Sequence, residues 1–315
     1  MHIRRIVLCT GPVDSMSARY AVHRLAVGFP DASITVFHQS GAPGKADVDR
    51  SPTDSNAAPH RAPSDRDDDV SGTTARVPAG GSLEPFAVKK RYWMLRARLF
   101  QSEAAGWRRR YFVRDARRTD RLLKREMRRS SAATLPTTTH RVATVNDHAE
   151  SIRALQPDVL LIYGGGIVSA RILQAARVAL NVHAGKLPEY RGVHSALFAL
   201  AQGRPDHVGV TVHVAEASLD SGPIAAWRPF PVDRVSSMPE LRCHLCREGM
   251  SAAIEVIREI GESGVDPDAQ TGGARPRRAK DITAETIRGA YRAIRSTRCG
   301  PEQASSARPV TVWTG

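Results

Sequence analysis

DVLLIYGGGIVSARILQAARVALNVH, Asp158 to His183, decides the fold. Asp158 to Tyr163 is a short, almost wholly apolar run of the kind that makes a strand buried on both faces of a parallel sheet. Gly164 to Gly166 ends it, Ser169 is placed to cap a helix from Ala170 to Val178, and Leu180 to His183 is the next strand. A strand, a helix and a strand within one short segment predict an α/β domain built on parallel strands.

The same alternation appears at the N-terminus. Arg5 to Thr10 reads as a strand, Ala18 to Val27 as a helix and Ser33 to His38 as a second strand. Asp147 to Glu150 has the form of a capping box opening a short helix to Leu155. Val208, Val210, Val212 and Val214 alternate with Gly209, Thr211, His213 and Ala215, the pattern of a strand with one buried face. A loop, Glu216 to Gly222, and a strand-like run, Pro223 to Val232, follow. Ser237 caps a final helix to about Ile260, and Ile282 to Ile294 suits one more short helix. The fold class is α/β, a doubly wound, mostly parallel sheet with a disordered and helical insertion.

That insertion separates the two halves. Residues 39–81 are rich in Pro, Gly, Ser and Asp with almost no apolar periodicity, so they cannot bury enough to offset chain entropy and read as a disordered linker. Residues 82–131 form a basic helical insertion, expected as two or three helices. The division is thus 1–38 for the first part of the α/β domain, 39–81 linker, 82–131 insertion, 132–261 core and 262–315 a polar tail with one short helix.

Composition bounds the function. At 315 residues and 41% apolar content the chain suits one catalytic-size domain with decorations. The net charge of +14 is concentrated: Lys89 to Arg129 holds sixteen Lys and Arg against four acids. A solvated arginine-rich face and an RNA- or anion-binding face both fit this segment, since clustered cations with Tyr92, Trp93 and Trp107 among them suit phosphates and bases. The remainder is near neutral and its charge says little about substrate. Four cysteines make no disulfide framework, and no apolar run is long enough for a signal peptide or a membrane span. The expectation is a cytoplasmic protein without a membrane partner. Cys243, His244 and Cys246 lack a second ligand pair at zinc spacing and read as helix positions, so no metal is expected. Gly164 to Gly166 lacks the spacing of a dinucleotide fingerprint and reads as close backbone approach to a ligand.

Asn181 and His183 sit where a strand ends, on the same side by period-two geometry. Taken alone, such a pair is most simply a structural Asn/His bonding to local backbone. Two further elements follow in order: Lys186-Leu-Pro-Glu-Tyr-Arg-Gly192, then Asp220-Ser-Gly-Pro-Ile224. Together with Gly209 to His213, this pattern resembles the folate-dependent formyltransferases, including sugar N-formyltransferases, glycinamide ribonucleotide transformylase and the N-terminal domain of methionyl-tRNA formyltransferase. It covers about Asp158 to Val232.

The resemblance implies transfer of a formyl group from 10-formyltetrahydrofolate to a primary amine. Asn181 and His183 would stabilise the tetrahedral oxyanion, and Asp220 would fix the histidine's charge and manage the proton. Such donors typically contribute about 3–4 kcal/mol each. It also implies a folate site at Gly166, Ile167 and Val168 with Ala215, Glu216, Ala217, Ser218 and Leu219. The loop Thr10 to Ser15 lacks the glycine-rich phosphate cradle of the ribonucleotide enzymes, and no set of alternating strands follows Ile260. A small amine, an amino sugar or amino-acid-like metabolite, is therefore the expected acceptor. A formyltetrahydrofolate hydrolase and an RNA-associated protein using Lys89 to Arg129 stand as alternatives. His194 and His213 stay outside the catalytic set, His213 being expected to face outward or to be satisfied locally.

Overall fold

The structure, a computed structural model, describes residues 2–40, 105–129, 137–264 and 266–297. The linker at 41–81, the insertion's residues 82–104, and residues 298–315 of the tail lie outside the described residues. β1 (Arg5–Thr10), β2 (Ser33–Gln39), β3 (Thr137–Val142), β4 (Val159–Tyr163), β5 (Val178–His183), β6 (Gly209–Val214) and β7 (Ile224–Pro229) form one sheet. Its order is β3-β2-β1-β4-β5-β6-β7. The first five strands in that order pair parallel, and β6 and β7 join antiparallel.

The apolar runs explain the central strands. In β1, Ile6 and Leu8 face one layer and Val7 and Cys9 the other. The first layer holds α1 (Met16–Gly28), α2 (Ala105–Arg129) and α6 (Met238–Glu262), with Tyr20, Leu25, Leu123, Ile254 and Ile257 buried among Ile34, Val36 and Leu161. The second holds α3 (Ala149–Ala154) and α4 (Ala170–Leu173), packing Ile152 and Ile172 on Val7, Phe37 and Leu160. Helices thus cover both faces, as a parallel sheet requires. A third cluster joins α5 (Ser195–Ala201), the start of α6 and α7 (Ala284–Ser296) through Leu197, Leu200, Leu241, Ile287 and Ile294.

Several local expectations change. The strand Thr137–Val142 is absent from the sequence reading, because Thr-Thr-Thr-His-Arg-Val has little apolar signal; as an edge strand it is mostly half-buried and needs little. The helix after Ser169 stops at Leu173 instead of Val178, since the chain must extend into β5 at Val178, and the Ser169 side chain makes no cap bond. Thr144, not Asp147, caps the turn before α3, accepting from the Asn146 N–H. Within the basic segment, residues 105–129 form one unbroken helix; the rest of the stretch expected to hold two or three helices lies outside the described residues. It is packed into the core: Leu123 is wholly buried and Asp115 and Thr119 are buried beside it. Ser237 does cap α6, accepting from the Glu240 N–H. Among the described residues no helix is long and apolar enough to cross a membrane.

Candidate active site

Three segments converge where β5 ends. Asn181 and His183 project from the same side of β5, and the antiparallel register sets His213 of β6 directly opposite Asn181. Asp220 arrives from the β6–β7 loop with a left-handed backbone, φ 52°. Its carboxylate is buried and acts as the hub. Asp220 Oδ1 accepts from Asn181 Nδ2 at 3.1 Å and lies 3.6 Å from His213 Nε2. Asp220 Oδ2 accepts from the Gly192 N–H at 2.8 Å and lies 3.5 Å from His183 Nδ1.

Tautomers follow from the partners. Val214 O can only accept, so His213 Nδ1 donates to it at 2.8 Å, leaving Nε2 to accept from Asn181 Nδ2 at 3.0 Å in the neutral ring. Likewise His183 Nε2 donates to Tyr190 O at 2.7 Å, with Ser195 Oγ 3.1 Å away. His183 is therefore held between two acceptors, a carbonyl at Nε2 and a carboxylate facing Nδ1. Burial pulls its pKa below 6.5, and Asp220 and Tyr190 O oppose that fall. For Asp220 burial acts upward, but the neighbouring His213 and His183 rings and the Gly192 N–H together hold its pKa below the usual carboxylate value. An ionised carboxylate beside a bare Nδ1 is a place where one proton can be received and retained.

Local sequence makes this packing fit. A Cβ on Gly185 would lie 2.4 Å from Ser195 Cβ, so only glycine lets the start of α5 close on His183. Gly192 has φ 93°, and a Cβ there would lie 2.2 Å from Arg277 O. Gln270 donates to both Asp220 O and Gly222 O, clasping the loop that carries the carboxylate.

The structure thus brings Asn181, His183 and Asp220 together, but it does not display the two donors aimed at one common point. The Asn181 amide hydrogens go to Asp220 and His213, and the His183 Nε2 hydrogen goes to Tyr190 O. Asn181 is half-buried, whereas His183, His213 and Asp220 are buried. His213 does not face outward: it is 2% exposed and part of the cluster. The missed signal is its position two residues from Thr211, which pairs with His183 in the register of β6 on β5. Ser195 and the Gly192 and Tyr190 backbone were also missed; their roles arise from a loop that folds back.

The residues expected at a folate site occupy two loops. Val168 is buried in the apolar cluster against which Ala215 packs, so the loops meet there. Ile167 O accepts from Asn146 Nδ2, and a Cβ on Gly166 would lie 2.5 Å from the Gln39 amide nitrogen. Glu216, Ala217, Ser218 and Leu219 are exposed. Ile167 and Leu219, at 53% and 45%, are among the few large apolar side chains open to solvent. A cavity of about 200 Å³ beside His183 is lined by Gly192, His194, Ser195, Met238 and Arg242 among others, and Phe112 of α2 packs on His194. Among the described residues no group of three His, Cys, Asp or Glu is arranged to hold a metal; Cys243 and Cys246 of the Cys-His-Leu-Cys run pack against the core.

A doubly wound sheet with a polar cluster at the end of β5 is the architecture of a ligand-binding α/β domain. Residues 102–257, just under half of the chain, match the family described as "Formyl transferase". It is 34% identical over 123 residues to a methionyl-tRNA formyltransferase of Chlorobium phaeovibrioides, covering 39% of this chain and 38% of that protein. A methionyl-tRNA formyltransferase of Acidithiobacillus ferrooxidans is 30% identical over 141 residues, covering 44% of this chain and 45% of that protein. The chain therefore spans less than half the length of either relative. Among solved structures, a 4-N formyltransferase from Francisella tularensis superposes with a TM-score of 0.52 at 10% identity, covering 93% of this chain and 88% of that one. At that identity the likeness concerns the fold.

Proposed function

We propose that this protein transfers a formyl group from 10-formyltetrahydrofolate to the primary amine of a small metabolite. The observation that carries the proposal is the convergence of Asn181, His183 and Asp220 from two separate segments around one buried carboxylate. Asn181, the half-buried member, presents its amide to the formyl oxygen by exchanging one of its present bonds. His183 and Asp220 take up the proton that the attacking amine must lose, Nδ1 receiving it and the carboxylate stabilising the resulting charge. His213 keeps the Asn181 amide and Asp220 in register.

The loops 164–168 and 215–219 fit the pterin of the cosubstrate. They offer backbone N–H and C=O edges, with the exposed apolar side chains of Ile167 and Leu219 available to a flat ring. The cosubstrate supplies the formyl carbon; the protein supplies orientation, the donor and the proton acceptor.

The test offers 10-formyltetrahydrofolate with a panel of amino sugars and amino-acid-like amines, following folate release and a mass gain of one formyl group. The expected result is amine-dependent release with matching mass gain. Release without any amine would make the protein a hydrolase, and no release at all would overturn the catalytic reading. His183→Ala and Asp220→Ala are expected to lower kcat about 100-fold or more. Near-wild-type rates in either variant would remove the residues from the mechanism.

A further inference from the structure

From Phe112 to Arg129, every exposed side chain of α2 is a cation: Arg114, Arg117, Arg118, Arg121, Lys124, Arg125, Arg128 and Arg129. The acids of the same stretch do not share that face. Asp115 is buried and bonded to the Tyr291 hydroxyl, Asp120 is half-buried, and Glu126 faces Arg247 of α6 at 3.7 Å. Arg114 and Arg118 feel the field of Asp115, and Arg118 that of Glu240. None of the eight forms an ion pair with a carboxylate among the described residues.

At 3.6 residues per turn these cations fill an arc of about 140° along about 22 Å of helix. Like charges at such spacings repel, each pair costing an isolated helix roughly 0.2–0.5 kcal/mol. Nothing in the fold requires that arrangement, since the opposite face of α2 alone supplies the packing on α1 and α6. Residues 41–88 contain eight acids and five cations, against the sixteen cations of 89–129.

We infer that this face of α2 docks the phosphodiester backbone of a nucleic acid, apart from the amine acceptor and independently of formyl transfer. Seven of the eight cations are arginines, whose planar guanidinium pairs bidentately with phosphate. A ladder of this length meets several successive phosphates of a duplex. No aromatic residue is exposed between Phe112 and Arg129, so contact is with backbone and not by base stacking. A membrane fits less well, because the apolar face of the helix is consumed by the core and none remains to insert.

The experiment measures binding of the full chain to a labelled RNA hairpin and to a DNA duplex of the same sequence, from about 50 to about 200 mM salt. The expected result is a steep linear fall of log affinity with log salt. The combined variant Arg117→Gln, Arg121→Gln, Lys124→Gln and Arg128→Gln should weaken binding at least about tenfold and flatten the slope by about 3 to 4. Circular dichroism of that variant should match wild type, as should any formyl transfer to small amines. A control variant, Arg171→Gln, Arg177→Gln, Arg275→Gln and Arg288→Gln, removes four exposed cations elsewhere and should change little. Binding of both nucleic acids supports the shared phosphodiester chemistry, and binding of the RNA alone supports it with RNA as the source. No binding at about 50 mM salt, or equal loss in the control variant, would overturn the inference. Capture by phosphatidylserine vesicles without binding to either nucleic acid would also overturn it, in favour of a lipid surface.

Discussion

His183 shows how a single residue is tuned by what surrounds it. Its ring lies between Tyr190 O and the Asp220 carboxylate, two groups that favour a proton on each nitrogen, while burial favours the neutral form and prevails. His38, buried against Gly11 O, is depressed for the same leading reason. Groups with folded values below 6.5 bind protons more readily in the unfolded chain. Their contribution to stability is present above 6.5 and is lost as pH falls through that value toward the folded one. Asp220, also depressed, acts only in a lower window, below 3.8. The thermal midpoint is therefore expected to fall by several degrees from about pH 7.5 to about pH 5.5. A flat or rising midpoint over that window would mean that Asp220 keeps His183 charged in the folded state. The cluster itself was legible in sequence through Asn181, His183 and Asp220. His213 was not, because a strand of alternating valines reveals two faces without saying which one meets β5.

At the scale of elements, the loop from Ala184 to His194 folds back on the strand it leaves and brings two backbone groups, the Gly192 N–H and Tyr190 O, to the cluster. Gly192 is its pivot: its N–H anchors Asp220, and its backbone passes against Arg277. Gly192→Ala meets both a left-handed φ and a main-chain clash that no rotamer relieves. It is expected to destabilise the fold by about 2 kcal/mol or more and to impair catalysis as the Asp220 anchor is lost. Gly203→Ala is the control, with φ 69° and open space around it, and should cost only about 1 kcal/mol. Equal stability losses for the two, measured by denaturant unfolding, would show that close packing at Gly192 contributes nothing. The element pattern was readable wherever strands are apolar and buried. Thr137–Val142 escaped because an edge strand needs only backbone pairing, and the length of α4 was set by the distance to β5 and not by its residues.

Across the whole molecule, the tail completes the core. Ile282, Ile287, Ala290 and Ile294 are buried against α5 and the first half of α6, and Gln270 and Arg277 hold the loops around Asp220 and Gly192. α5 in turn starts at Ser195, which touches His183. Ile287→Ala is expected to destabilise the protein by about 2–4 kcal/mol and to lower activity in step with stability, since the support of α5 is loosened. A loss under about 1 kcal/mol in denaturant unfolding would show that the tail is peripheral. This coupling was not visible in composition: a polar stretch with four apolar positions at helical spacing suits an independent short helix equally well.

The sequence by itself determined which segments become buried strands, which side chains stand at the end of β5, and that a carboxylate follows on the next connection. Those properties are local, fixed by hydrophobic period and turn chemistry. Only the tertiary structure decided that His213 faces Asn181, that Tyr190 O accepts the His183 Nε2–H hydrogen bond, and that residues 266–296 clasp the site. It also turned the acids of α2 inward and left an all-cationic face outside. Each of these depends on strand register or on packing between segments distant in the chain, where no local pattern records the partner.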